Sequence, residues 1–281
     1  MANFTAPADL AKSLVGVGEK KAAGDAVKLF ILGILAGVFI GFAAHLATVI
    51  ATGSFAWLGA KKFLIGAVFS TGLMLVIIPG SELFTGNNLM TVALCDGKIS
   101  MGGMLRNWVI VYLGNLVGSI FLAAIIGIGS GLLNGAIGAT AINIAGGKCL
   151  LTPVEMICRG IGCNWLVCLA VMMALASHDI GGKVLGIFFP IMAFVASGFE
   201  HCVANMYFLP AGIFAKGNFA AAVTAAGGAT AKKVAGCNVA GAATNIAFVT
   251  IGNIIGGAIF TGCVYWFLYV RTTPKPPAEE E

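Results

Sequence analysis

The chain has 281 residues, of which 59% are hydrophobic and only 10% charged, and its mean hydropathy is +0.99. So few polar residues cannot cover a soluble globule of this size, which leaves an integral membrane protein. A net charge of +5 does not point to a nucleic-acid partner, and the lack of alternating ten-residue segments argues against a transmembrane β-barrel.

In chain order, residues 1–28 come first as a cytoplasmic amphipathic segment. Its stretch "APADLAKSLVGVGEKKAAGDAVK" places Leu10, Leu14 and Val17 at helical spacing among lysines, which predicts a short helix lying at the membrane surface. The first apolar run, Leu29 to Ala51, is too long for a signal-peptide core and lacks a convincing cleavage site. Six apolar runs follow, at 29–51, 63–94, 107–133, 156–176, 184–215 and 239–270. Each approaches or exceeds the roughly 20 residues that span a bilayer. They make residues 29–270 an all-α, six-helix membrane domain, and "RTTPKPPAEEE" at 271–281 a flexible tail. The 40 glycines lie largely inside these runs, so the helices are expected to pack closely. Cys158, Cys163 and Cys168 recur every five residues, about 140° apart around a helix, and share no face. The cysteines are therefore read as small buried hydrophobes, and no cofactor or metal is expected.

The chain repeats itself. "NWVIVYLGNLVGSI" in the third run has Asn107, Gly114, Asn115 and Gly118, and "NIAFVTIGNIIGGAI" in the sixth has Asn245, Gly252, Asn253 and Gly256 at the same spacing. "GILAGVFIGFA" from Gly33 aligns weakly with "GIGCNWLVCLA" from Gly160. Units of three crossings have opposite orientation, so an inverted 3+3 repeat is expected. The second and fifth runs are interrupted at corresponding places, by Pro79, Gly80 and a polar cluster in "VIIPGSELFTGNNLMTVAL" and by Ser197, Gly198, Glu200 and His201 in "VASGFEHCVANMYFLPAGI". Irregular backbone survives at membrane depth only where it is buried in protein or lines a cavity, so paired breaks mark a candidate permeation site.

Within the breaks, Glu200 is expected to accept hydrogen bonds from N–H groups freed where the next helix begins. His201 is expected to face the pore, as a donor to an anion or a partner in proton exchange. Asn205 follows one turn later and Asn164 lies in the fourth run; a buried amide either bridges helices or lines a path. Thr85 and Asn87 sit beside bulky Leu83 and Phe84, a polar ligand next to an apolar plug. Lys148 precedes a helix start marked by Thr152, Pro153 and Glu155, where a lysine supplies positive potential to an anion or simply stands at the surface. His45 and His178 receive no role.

At these residues the sequence resembles the formate/nitrite transporter family, through "ELFTGNN", "YLGNLVG" and "ASGFEHCVANM" and over about residues 20–270. The resemblance implies a homopentamer of six-helix protomers with an aquaporin-like inverted repeat and one pore per protomer. It further implies a central pore histidine at His201 with Glu200 and Asn205, a pore threonine at Thr85 flanked by Leu83 and Phe84, and a lysine near the histidine at Lys148. Pore positions of the fourth helix match Asn164 and Val167, and apolar constriction residues match Phe69, Leu73 and Phe194. Gly86, Asn87 and Asn88 replace less polar residues of formate-handling members, and the pattern looks most like the hydrosulfide-channel branch.

Together these features predict a channel, not an enzyme, in the bacterial inner membrane. Its expected substrates are small monovalent anions, chiefly exported hydrosulfide, with formate and nitrite also passing. With both termini cytoplasmic, the outer side carries seven basic residues against Glu155 alone, a field that concentrates anions. A formate or nitrite channel or proton symporter is the alternative within the family. A water or glycerol pore is the alternative of another class, although the paired Asn-Pro-Ala signatures of aquaporins are absent.

Overall fold

A computed structural model describes residues 4–225 and 230–271, and among them every regular element is a helix. The tail at 272–281 lies outside the described residues. Six helical spans are long and apolar enough to cross a membrane, namely Ala26–Thr52, Leu58–Ile77, Met101–Gly129, Pro153–Ala176, Ile180–Ser197 and Val239–Val270.

Local chemistry explains the starts of five of the long helices. The helices α2 (Ala26–Thr52), α6 (Met101–Ala124), α8 (Pro153–Ala176), α9 (Ile180–Ser197) and α12 (Val239–Ile254) follow Asp25, Ser100, Thr152, Asp179 and Asn238, each of whose side chains accepts a first-turn N–H. Thr152 and Glu155 complete a reciprocal capping box. Beyond α6 and α12 the chain winds on as π-helix, over Ile125–Gly129 and, in the last span, over Ile255–Cys263 and Trp266–Val270.

Two long apolar runs are not single helices. After α3 (Leu58–Ile77) the chain turns at Pro79 and Gly80. Proline supplies no N–H, and Gly80 at φ 95° occupies a left-handed conformation that side chains resist. A short helix α4 (Phe84–Asn87), a 3₁₀ turn (Asn88–Met90) and α5 (Thr91–Cys95) then follow. In the other run α9 stops at Gly198, with φ 82°, and α10 (Cys202–Ala225) begins four residues later.

One element differs from expectation. The helix α1 (Pro7–Ala22) does not lie free on the membrane surface. Its apolar stripe at Leu10 and Leu14 is buried against Leu89, Val92, Cys168 and Met172, so it folds back onto the body of the protein. A helix α7 (Gly135–Cys149), outside the six apolar runs, packs along α10. A short α11 (Ala231–Gly236) precedes α12.

Close approach of backbones sets the architecture. A methyl group on Gly37 would strike the Asn115 carbonyl, and one on Gly118 the Ile34 carbonyl, so α2 and α6 touch directly. Gly252 of α12 and Gly256, just beyond it in the π-helical stretch, bring the last span equally close to the Ile157 and Ile161 carbonyls of α8. Gly118→Ala is expected to destabilise the fold by about 1–3 kcal/mol, the usual cost of overpacking. Gly59→Ala, where an added methyl meets nothing within 4 Å, should be silent; thermal unfolding of the detergent-solubilised protein compares the two.

Candidate functional site

A chain that leaves helical conformation inside hydrocarbon strands backbone donors and acceptors, and each costs several kcal/mol if unpaired. At the second break one side chain resolves most of this debt. Asn253 Oδ1 accepts from the N–H of Cys202 at 2.8 Å, and its Nδ2 donates to the carbonyls of Glu200 at 2.9 Å and Gly160 at 2.8 Å. The N–H of Glu200 reaches the Arg159 carbonyl at 3.2 Å. The first break is held the same way. Asn115 Oδ1 accepts from the N–H of Phe84 at 3.0 Å, and its Nδ2 donates to the carbonyls of Glu82 at 2.9 Å and Gly33 at 2.8 Å.

Above each break stands a closed ring of polar side chains. Lys148 Nζ donates to both oxygens of Glu200 at 2.9 and 3.0 Å. Asn205 Nδ2 donates to Glu200 Oε2 and to Asn245 Oδ1, both at 2.7 Å, and Asn245 Nδ2 returns to the Lys148 carbonyl at 3.0 Å. The counterpart ring joins Lys21 to Glu82 at 2.6 Å, Asn87 to Glu82 at 2.7 Å and to Asn107 at 2.8 Å, and Asn107 to the Lys21 carbonyl at 3.0 Å. Every charge is therefore paired and hydrogen-bonded, the condition under which ions survive burial.

Each ring borders its own cavity. One, of about 290 Å³, is lined by Lys148, Glu200, His201, Asn205, Phe69, Phe194 and Phe208 among others. The other, of about 170 Å³, is lined by Lys21, Leu73, Leu83, Asn87 and residues of α1. Phe69, Leu73, Leu83 and Phe194, each 2–3% exposed, stand among the side chains bordering them. His201 and Thr85 meet beside these residues. His201 Nδ1 accepts from the N–H of Ala204 at 3.2 Å, so a neutral ring carries its proton on Nε2 and donates it to Thr85 Oγ1, at 2.9 Å. Phe194 lies 6.0 Å from the imidazole, and Lys148 Nζ sits 5.3 Å above the Phe208 ring.

The structure separates the sequence candidates. His201, Glu200, Asn205, Lys148, Phe69 and Phe194 share one cavity, Leu73 and Leu83 line the other, and Thr85 reaches His201 from the first break. Thr85 itself lines neither cavity, and three further candidates line neither. Phe84 is clasped by Trp108 and Tyr112, Val167 packs in the core, and Asn164 is used up in bonds to the Thr85 and Asn253 carbonyls and to Asn88 Oδ1. Glu200 also departs from expectation. Its carboxylate takes Lys148 and Asn205 instead of backbone N–H groups, because Asn253 already serves the freed Cys202 donor. His178, given no role, bonds Thr5 Oγ1 at 3.0 Å and ties down the N-terminal segment.

A sequence profile described as "Formate/nitrite transporter" matches residues 8–267. The chain belongs to the formate/nitrite transporter family. It is 42% identical to the "Probable formate transporter" of Methanothermobacter thermautotrophicus, over 96% of this chain and 98% of that one. It is 37% identical to "Formate channel FocA" of Escherichia coli (strain K12), over 94% of each. A solved "Pentameric formate channel with formate bound" matches with a TM-score of 0.76 at 39% identity, covering 89% of this chain and 98% of that one. These relatives are named for formate, and none of the three for hydrosulfide.

In this member of the family the sequence reading missed Lys21, Asn107, Asn115, Asn245 and Asn253 as parts of the site. The signal was present. Lys21 and Lys148 stand in the same register as the aligned glycines Gly33 and Gly160, and the four asparagines were visible as a repeat.

Glu200→Gln leaves Lys148 as a buried unpaired cation, and loss of one partner from such a pair costs about 3–5 kcal/mol. The Lys148 and Glu200 side chains are 16% and 6% exposed, against 24% and 14% for Lys21 and Glu82. Glu82→Gln is therefore expected to cost less. Combining Glu200→Gln with Lys148→Met should recover much of the loss, read as a double-mutant cycle on unfolding temperature.

Proposed function

We propose that this chain forms a channel for small monovalent anions, formate first among them, in the plasma membrane with both termini cytoplasmic. The observation that carries the reading is a lysine held in a charge-paired ring on a cavity wall, beside a histidine hydrogen-bonded to a threonine across an apolar barrier. An anion drawn toward Lys148 meets Phe69 and Phe194, and an apolar constriction rejects a bare charge. Taking up a proton from bulk water turns formate into formic acid, which crosses without that cost, while the Nε2–H of neutral His201 serves as a hydrogen-bond donor at the barrier. Asn205 offers the matching group. Its Nδ2 is committed to two acceptors while its buried Oδ1 has no partner, so it accepts an O–H and repels a carboxylate.

Hydrosulfide is the weaker reading for this chain. The residues that suggested it, Gly86, Asn87 and Asn88, are explained without a ligand. Asn87 belongs to the Lys21 ring, Asn88 bonds Asn164 and the Phe84 carbonyl, and Gly86 packs near Val171. The relatives' names favour formate.

The two matched asparagines and the two matched rings support an inverted 3+3 repeat with interrupted second and fifth segments. Exposed apolar side chains along the outer helices, such as Phe121, Leu113 and Phe189, support burial against lipid and neighbouring protomers. The homopentamer is proposed by similarity to the solved pentameric channel.

Liposomes holding the purified protein test the reading with formate, nitrite, hydrosulfide and glycerol at two pH values. Formate is expected to lead, with glycerol excluded. Glycerol passing while every anion fails would overturn the anion channel; hydrosulfide leading would overturn the formate ranking alone. His201→Ala should keep the assembly intact and change the pH dependence of flux, and an identical profile at both pH values would remove the role given to this histidine.

A further inference from the structure

Cys95 ends α5, Cys263 ends the first π-helical stretch after α12, and their sulfurs lie 3.6 Å apart. Both are free thiols and both are half-buried. A disulfide needs about 2.05 Å between sulfurs, so side-chain rotation with a small shift would close the gap. The contact is no accident of two loose ends. Thr91 Oγ1 of α5 donates to the Ala258 carbonyl at 3.2 Å, and Trp266 Nε1 donates to Asp96 Oδ1 at 3.4 Å, so bonds on both sides of the cysteines fix the register. Gly262 permits this approach, because a methyl group there would strike the Thr91 hydroxyl.

We propose that Cys95 and Cys263 form a reversible disulfide site whose oxidation locks the Thr85 segment onto the last membrane span. The oxidant is a low-molecular-weight disulfide. The Cys95 thiolate attacks one of its sulfurs, forming a mixed disulfide and releasing one thiol, which takes the proton that Cys95 lost. The Cys263 thiolate then attacks Cys95 Sγ, forming the protein disulfide and expelling the second thiol. Two protein thiols are oxidised and one small disulfide is reduced to two thiols.

Burial, together with the neighbouring Cys263 thiol, raises the Cys95 thiol above its ordinary value, so Cys95 rests protonated. Exchange requires the thiolate, and the site therefore responds to sustained oxidation and not to brief fluctuations. On the topology proposed above, α5 ends at the cytoplasmic face, where disulfides are characteristically transient and redox-sensing.

The mechanical consequence rests on the channel reading. The chain from Phe84 to Cys95 is an uninterrupted series of short helices, with Thr85 on His201 at one end and Cys95 at the other. Passage between the two cavities requires Thr85 and His201 to part. Stapling Cys95 to Cys263 restrains that motion.

The protein in liposomes is treated with glutathione disulfide, alkylated with a maleimide, digested and analysed by mass spectrometry, with formate flux recorded in parallel. A peptide containing Cys95 linked to one containing Cys263 is expected. A severalfold fall in flux, reversed by dithiothreitol, should accompany it, and both should be abolished in C95S and in C263S. Alkylation of both thiols after oxidation, or glutathione retained on Cys95, would overturn the site. The linked peptide with undiminished flux would overturn the lock. Absence of any anion flux before oxidation would instead refute the channel reading, and the linked peptide would still report on the disulfide.

Discussion

Hydrocarbon offers no hydrogen bonds, and that single constraint organises this molecule. A membrane protein can interrupt a helix only if something else satisfies the exposed peptide groups. Here the something is one asparagine per break. Asn115 and Asn253 each accept one N–H and donate to two carbonyls, and both project from helices that glycines bring into backbone contact with their neighbours. An amide can do this because it carries donors and acceptor on one planar group. A leucine there would leave the Cys202 N–H and the Glu200 carbonyl without these partners.

Once the breaks are held, charge can be placed beside them. The ring of Lys148, Glu200, Asn205 and Asn245 closes on itself through one backbone carbonyl, so it holds an ion pair without exposing an unpaired acceptor on Glu200. The counterpart ring on Lys21 does the same on the other cavity. The halves differ in register with Leu83 and His201. Each directly follows the ring glutamate, yet one places an apolar side chain on its cavity and the other an imidazole. The same framework thus sustains a symmetric scaffold and an asymmetric barrier. The neutral form of His201 is built in by the Ala204 N–H, which needs a lone pair on Nδ1.

Much of this was legible in the residues. Composition gave six helices apolar enough to cross a membrane, α9 ends at Gly198 and the chain turns at Pro79–Gly80, and the asparagines at 107/245 and 115/253 recur at one spacing in the sequence. Capping residues located the start of α8. What stayed hidden depends on contacts far apart in the chain. The role of Glu200 depended on Asn253 having taken the Cys202 donor, a competition that no local pattern displays. Phe84 reads as a pore plug beside Leu83, and its ring contacts with Trp108 and Tyr112 were not visible in the sequence. The helix α7 carries the glycine-rich "GAIGATAINIAGGKC", and its packing along α10 outweighs that weak propensity. Family resemblance brought in Phe69, Leu73 and Phe194 where spacing alone was silent.

The most direct measurement is hydrogen–deuterium exchange at the second break in the bilayer-embedded protein, comparing wild type with Asn253→Ala. If Asn253 holds the interruption, loss of a hydrogen bond worth about 1–1.5 kcal/mol should speed exchange across peptides covering 199–206 by roughly tenfold. Peptides covering Phe84, served by Asn115, should not change. Unchanged exchange at Cys202 would contradict the central role given to that amide.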